Sequence, residues 1–148
     1  MSWRDTQYED LHRIVLPGES SGADARDLYP DTEESRAILF RDAWTWEDPH
    51  DGILAIVGIS CMWKGVGVVW TLLTDKSRQR GVALTRGVLR LLGLLHRERG
   101  YWRIQATVER GDETARLWII HLGFVYEGTM VAYGPDGETH DMYARVRG

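Results

Sequence analysis

The sequence holds a single cysteine, Cys61, which excludes an intrachain disulfide and a cysteine-rich metal site and suits a reducing compartment. Set in an apolar stretch, Cys61 reads as a small buried strand residue rather than a nucleophile. No apolar run approaches the ~20 residues that a membrane span requires, and the polar segment Met1–Asp10 lacks the form of a secretory signal. Basic excess is missing too. Eighteen Lys and Arg against 22 Asp and Glu give a net charge of −4, which argues against a general nucleic-acid binder, whose phosphate contacts need a basic face. Repeats, linkers and low-complexity tracts are absent. The expectation is a soluble, cytoplasmic chain with no metal, no membrane partner and no direct nucleic-acid partner.

What is present suits one core. With 148 residues, 43% of them hydrophobic, the chain is long enough for one domain over residues 1–148 and too short for two ordinary ones. Seven tryptophans are spread along it, from Trp3 to Trp118, which points to core and interface packing rather than one aromatic cage. Arginines cluster locally between Arg78 and Arg103, enough for one positive surface on an acidic protein.

Tyr8, Leu11, Ile14 and Val15 recur at helical spacing, and Pro30-Asp31-Thr32-Glu33-Glu34 opens a second helix running to Asp42. Leu16 to Gly22 has loop composition. Trp44 and Trp46 alternate with polar residues before the turn Asp48–Gly52, and Ile53–Val57 and Val68–Leu73 follow as β-rich runs, so three antiparallel strands are expected. Val82–Arg99 carries an apolar stripe at Leu84, Val88, Leu91, Leu92 and Leu95 and stops at Gly100. Then come a strand over Trp102–Val108, a short helix over Ala115–Leu122, and strands over Phe124–Ala132 and Thr139–Val146 joined by the turn Gly134-Pro135-Asp136-Gly137. A further strand near residues 2–4 has slight support. The order is (β)ααβββαβαββ.

Between the third of these β runs and the long helix stands Arg78-Gln79-Arg80-Gly81-Val82-Ala83. A strand, a short turn with glycine and a helix N-terminus make an anion cradle, because orphan backbone N–H groups and the positive end of the helix dipole converge there. The spacing R-x-x-G-x-A resembles the acyl-CoA signature of the GNAT superfamily of N-acetyltransferases. Val108 to Ala115, followed by Leu122-Gly123-Phe124, is similar to that family's V-x-x-x-N-x-x-A and L-G-F. The resemblance runs from end to end and implies the GNAT fold, an α/β (α+β) architecture with a mixed central sheet of six to seven strands and about four helices. It also implies acetyl-CoA as cofactor, held by Leu73, Thr74, Arg78, Gln79, Arg80, Gly81, Val82, Ala83 and Leu84, with Arg116 as a phosphate partner. In that family two central strands splay apart and pantetheine inserts between them. Leu72 to Thr74 and Gln105 to Val108 are then the two lips, with the thioester near Trp70 and Thr71.

The departures lie in the chemistry. The family's tyrosine acid on the last short helix is Ile119 here, its strand glutamate has no counterpart among Gly67, Val68, Val69 and Trp70, and its asparagine is Asp112. Glu47, Tyr126 and His140 are the substitute acid–base candidates, with His50 beside them; hydrogen-bonded or solvated side chains are the alternative reading of the same residues. The Trp-bearing strand, the Tyr-free helix and the polar closing hairpin also resemble small GNAT-like proteins encoded among virion structural genes of tailed phages. The expected function is transfer of acetyl from acetyl-CoA to a primary amine of a small molecule or peptide. The alternatives are a catalytically silent structural or interaction protein and a CoA-binding regulator. A homodimer, and virion association on the phage resemblance, stay open as partners. The loop Pro17–Tyr29, with Glu19, Asp24 and Asp27, would shape the acceptor side and attract a cationic amine.

Overall fold

The computed structural model describes residues 2–14, 16, 32–34 and 41–147; the loop Pro17–Tyr29 and most of the expected second helix lie outside them. β1 (Ser2–Asp5) leads to a short helix α1 (Asp10–Arg13), then β2 (Ala43–Asp48), β3 (Gly52–Trp63) and β4 (Val66–Leu73). Two helices follow in succession, α2 (Asp75–Gln79) and α3 (Gly81–Arg97), before β5 (Arg103–Glu109), α4 (Glu113–His121), β6 (Val125–Met130) and β7 (His140–Val146). The strands form one mixed sheet in the order β1-β2-β3-β4-β5-β7-β6. Neighbours are antiparallel except β4 and β5, which run parallel because the helical crossover carries the chain back to the same end.

β3 is buried continuously from Ile53 to Ile59 because both its faces are covered. On one face Ala55, Val57, Ile59, Ile104, Ala106 and Val108 meet the stripe of α3 and Ile119 and Leu122 from α4 and its end. On the other, Ile53, Ile56 and Leu72 meet Leu11 of α1 and Ile14 just after it. Trp3 stacks on the buried Trp46 with ring centres 5.6 Å apart, in line with the packing role expected for the tryptophans. Trp63 and Trp102 are exposed instead. No helix of the described residues is long and apolar enough to cross a membrane.

Three local expectations are corrected. Cys61 is exposed, because β3 runs on past Ile59 and its last residues lie beyond the core. The segment read as a simple turn before the long helix contains α2, which Thr74 caps by accepting a hydrogen bond from the Ser77 N–H at 3.2 Å. The connection of β6 to β7 is a nine-residue loop, residues 131–139, rather than a four-residue turn; Gly134 and Gly137 close only its inner bend, through a Gly137 N–H to Gly134 C=O bond of 2.9 Å.

Candidate active site

The corner between α2 and α3 is built from Thr74 outward. Thr74 is buried, and its N–H and hydroxyl both donate to the Leu54 carbonyl, at 3.1 and 2.7 Å, while its own carbonyl accepts from the Ser77 hydroxyl at 2.7 Å. Its side chain is therefore spent on anchoring the corner to β3. Arg80 ends α2 and opens α3 with φ −107° and ψ 44°, and no side chain caps α3. The first amides of α3, at Gly81, Val82 and Ala83, have no intrahelical acceptor and lie at the positive end of a 17-residue helix. The space above them is open. Val82 is 71% exposed, and a Cβ built on Gly81 would meet nothing within 4 Å. Since φ at Gly81 is not positive, neither strain nor a neighbouring atom of the protein requires glycine there. What a side chain would occupy is the approach to the amides, so the residues fit the phosphates that the R-x-x-G-x-A spacing implies.

The sequence-predicted cofactor residues separate at this corner. Arg78 and Gln79 are exposed, Ala83 and Leu73 pack partly against the main core, and Leu84 is buried in it. The Arg80 guanidinium is held by two carboxylates, Asp48 at the end of β2 at 3.0 Å and Asp51 in the β2–β3 turn, and Lys76 joins Asp51 at 2.9 Å. The His50 N–H and Arg80 hold the Asp48 carboxyl below its usual range. Arg116 forks onto Glu113 three residues back on α4. Asp112, in place of the family's asparagine, caps α4 by accepting from the Ala115 N–H at 3.1 Å. Sequence reasoning missed the Asp48–Asp51 clamp, since nothing local marks a pairing across about thirty residues; the Thr74 cap carried a signal in Thr-Asp-x-Ser.

Above the corner the sheet opens. β4 and β5 pair only through Val66, Gly67 and Val68 with Arg103, Ile104 and Gln105. Beyond that β4 runs to Leu73 paired with β3 alone, and β5 runs to Glu109 paired with β7 alone. The facing edges are left with free peptide groups over four to five residues, and the wedge widens toward the α3 N-terminus. An extended chain bearing amides fits such a gap as an added strand.

The candidate acid–base residues do not converge. Glu47 accepts from Arg4 at 2.9 Å and Arg13 at 2.5 Å, which together hold its carboxyl low. It lines, with His50 and Asp48, an open cleft of about 440 Å³ at the end of β2. Tyr126 pairs in register with the buried Tyr143 and meets its ring edge-on at 5.8 Å, so it lies on the α3 side of the outer sheet; its hydroxyl bonds Thr129 at 2.7 Å. His140 stands opposite Glu109, on the other face. It is buried, its Nε2 lies 3.3 Å from Glu138, Tyr133 packs edge-on against it at 5.4 Å, and its Nδ1 has no partner among the described residues. Ile119, at the family's acid position, is buried in the main core.

No protein-family model matches the chain, and no curated protein matches it in sequence. Solved structures do match it. A chimera of the Vibrio cholerae spermidine N-acetyltransferase SpeG with hSSAT superposes with a TM-score of 0.75 at 16% identity, covering 99% of this chain and 96% of that one. A putative phosphinothricin N-acetyltransferase gives 0.73 at 15%, covering 99% and 98%. The ribosomal-protein-S5-alanine acetyltransferase of Vibrio fischeri gives 0.63 at 21%, covering 76% and 64%. The fold is that of the GNAT acetyltransferases, a mixed α/β sheet of seven strands with its helices, as the sequence implied.

Proposed function

We propose that this chain transfers an acetyl group from acetyl-CoA to a primary amine. The observation that carries the reading is the parting of β4 from β5 after Val68 and Gln105, directly above the uncapped α3 N-terminus with its open Gly81. The amides of Gly81, Val82 and Ala83 would hold the pyrophosphate, and the free edges of Val69–Leu73 and Ala106–Glu109 would receive the pantetheine amides. When bound, acetyl-CoA supplies an acyl thioester activated toward a nucleophile. The chain's own residues then have two tasks: to hold the amine on the opposite face of the wedge, and to accept the proton it sheds.

Of the acid–base candidates, His140 suits the second task. Glu47 is neutralised by two arginines, and Tyr126 lies across the sheet. His140 lies on the face turned away from α3, with its Nε2 against Glu138 and its buried Nδ1 without a partner among the described residues. His140→Gln is expected to lower turnover about 100-fold, the lower end of a general-base contribution, with acetyl-CoA affinity unchanged. Release of CoA with an amine panel, scored by product mass, checks this. Equal turnover removes His140 from the role, and binding of acetyl-CoA without any turnover favours the binding-module reading.

A further inference from the structure

On the side turned away from α3, the half of the sheet formed by β5, β7 and β6 carries a face outside the cluster under α1, which takes only β3 and β4 from the sheet. Ile104, Ala106, Val108 and Tyr143 belong to the main core, so the residues that alternate with them point to this face. Register aligns them with β6 in three rows: Gln105–Ala144–Val125, Thr107–Met142–Gly128 and Glu109–His140–Met130. Thr107, Met142, Gly128 and Met130 are half-buried, open to a ligand yet backed by the sheet. A Cβ on Gly128 would meet nothing within 4 Å and φ there is not positive, so the middle row ends in a hollow that neither strain nor a neighbouring atom reserves for glycine. Met62 of β3 joins this face, its Sδ 3.5 Å from Gln105 Nε2, so every methionine after Met1 is gathered here. Such unbranched thioether side chains adapt to apolar bodies of varied shape.

This face is continuous with the wedge. Val68 and Gln105 are the last pair joining β4 to β5, so the row that starts at Thr107 begins where the strands part, level with Trp70. From there across β7 to β6 is two strand spacings, about 10 Å. The charges divide along that line. At the wedge end, Glu109 and, at the start of α2, Asp75 have no ion pair among the described residues. Toward β6, Glu127 is bridged to Arg103, and Glu138 is held by His140 and the Asp136 N–H. Asp136 itself lies in the exposed bend Gly134–Gly137, past the end of β6, and Asp141 is turned to the α3 side against Arg110. A cation therefore meets a carboxylate beside the wedge and none at the hollow.

We infer that this face receives the acceptor and selects monoamines with an apolar body over diamines of equal length, the ammonium lying at the wedge within reach of Glu109 and the body crossing Met142 to the hollow at Gly128. This rests on the acetyl-transfer reading. The second ammonium of a diamine would lie among Val125, Met130 and Met142, drawn from water with no charge to meet it. An alkyl end placed there covers apolar surface instead.

The test uses the full chain carrying ¹³C in its methionine methyl groups, which gives one signal each for Met1, Met62, Met130 and Met142. Met130→Leu and Met142→Leu, which nearly conserve volume, assign the two signals that matter, or through-bond assignment does so should either variant fail to fold. CoA-saturated protein is titrated with n-hexylamine and, separately, with 1,6-diaminohexane at millimolar concentration. The Met130 and Met142 signals are expected to shift with hexylamine and stay in place with the diamine. In turnover with acetyl-CoA, kcat/KM should favour hexylamine by about tenfold or more, the range for an apolar group in an apolar site, and Gly128→Leu, which fills the hollow, should erase that preference. Methyl signals that ignore hexylamine while CoA binds overturn this inference alone, as do equal kcat/KM values for the two amines. A wild-type chain that sediments as a dimer, and as a monomer once Gly128→Leu is introduced, assigns the face to a second copy and overturns it too. A wild-type chain that takes up no CoA removes the acetyl-transfer reading and this inference with it.

Discussion

Asp10 shows how single residues of this chain set its stability. It is almost wholly buried, and it accepts from Arg4 at 2.8 and 2.9 Å, from the Gln7 N–H at 2.8 Å and from the Thr45 hydroxyl at 3.0 Å. Burial alone would push its carboxyl up, but the Arg4 guanidinium and the two further donors outweigh it and hold the group below the usual carboxylate range. A carboxyl lowered in the folded state contributes stability that is complete above its unfolded value, near pH 4, and lost as pH falls through the folded one. Asp10→Asn is therefore expected to cost about 3 kcal/mol at neutral pH, as breaking a buried ion pair does, and to flatten the loss of stability below about pH 4. Urea unfolding across pH 3 to 7 measures both; an unchanged acid limb would place that loss elsewhere. None of this network was legible in the sequence. Glu47 read there as an acid–base candidate because its pairing with Arg4 and Arg13 is a tertiary fact, and Cys61 read as buried because composition does not say where a strand outruns its core.

At the scale of elements, legibility followed periodicity. The stripe Leu84, Val88, Leu91, Leu92, Leu95 fixed α3 to within two residues at each end, and alternation gave β5 and β7 closely. α2 escaped because five residues are too few to show a period, and only its cap could announce it. That cap also joins two elements, since Thr74 binds Leu54 of β3 as well as Ser77. Thr74→Ala should cost about 1 to 2 kcal/mol, the range for losing a helix cap, and should weaken acetyl-CoA binding besides, because the corner that aims the α3 amides loses its anchor. Thermal melting and calorimetry on the same preparation separate the two effects; lost stability with full affinity would mean that α3 holds its place without α2.

Over the whole molecule, the order of strands and helices was legible in the sequence apart from α2, but the wedge was not. Adjacent antiparallel runs and one long crossover helix account for the meander β2-β3-β4, the parallel step to β5 and the β6–β7 hairpin, but not for β7 lying between β5 and β6. Where β4 and β5 cease to pair depends on how α3, packed beneath them, meets both strands, which no local pattern encodes; the splay came only from the resemblance carried by R-x-x-G-x-A and L-G-F. The account's central claim is that this wedge and the α3 N-terminus form one acetyl-CoA site. Calorimetric titration of acetyl-CoA into the wild-type chain and into Gly81→Asp tests it most directly. The added carboxylate enters open space, so the fold should persist with an unchanged melting temperature while its charge opposes the phosphates. The account predicts saturable one-to-one binding by the wild type, weakened about tenfold or more in the variant, equivalent to ~1.4 kcal/mol. No binding by the wild type, or equal affinity in the two proteins, would contradict it.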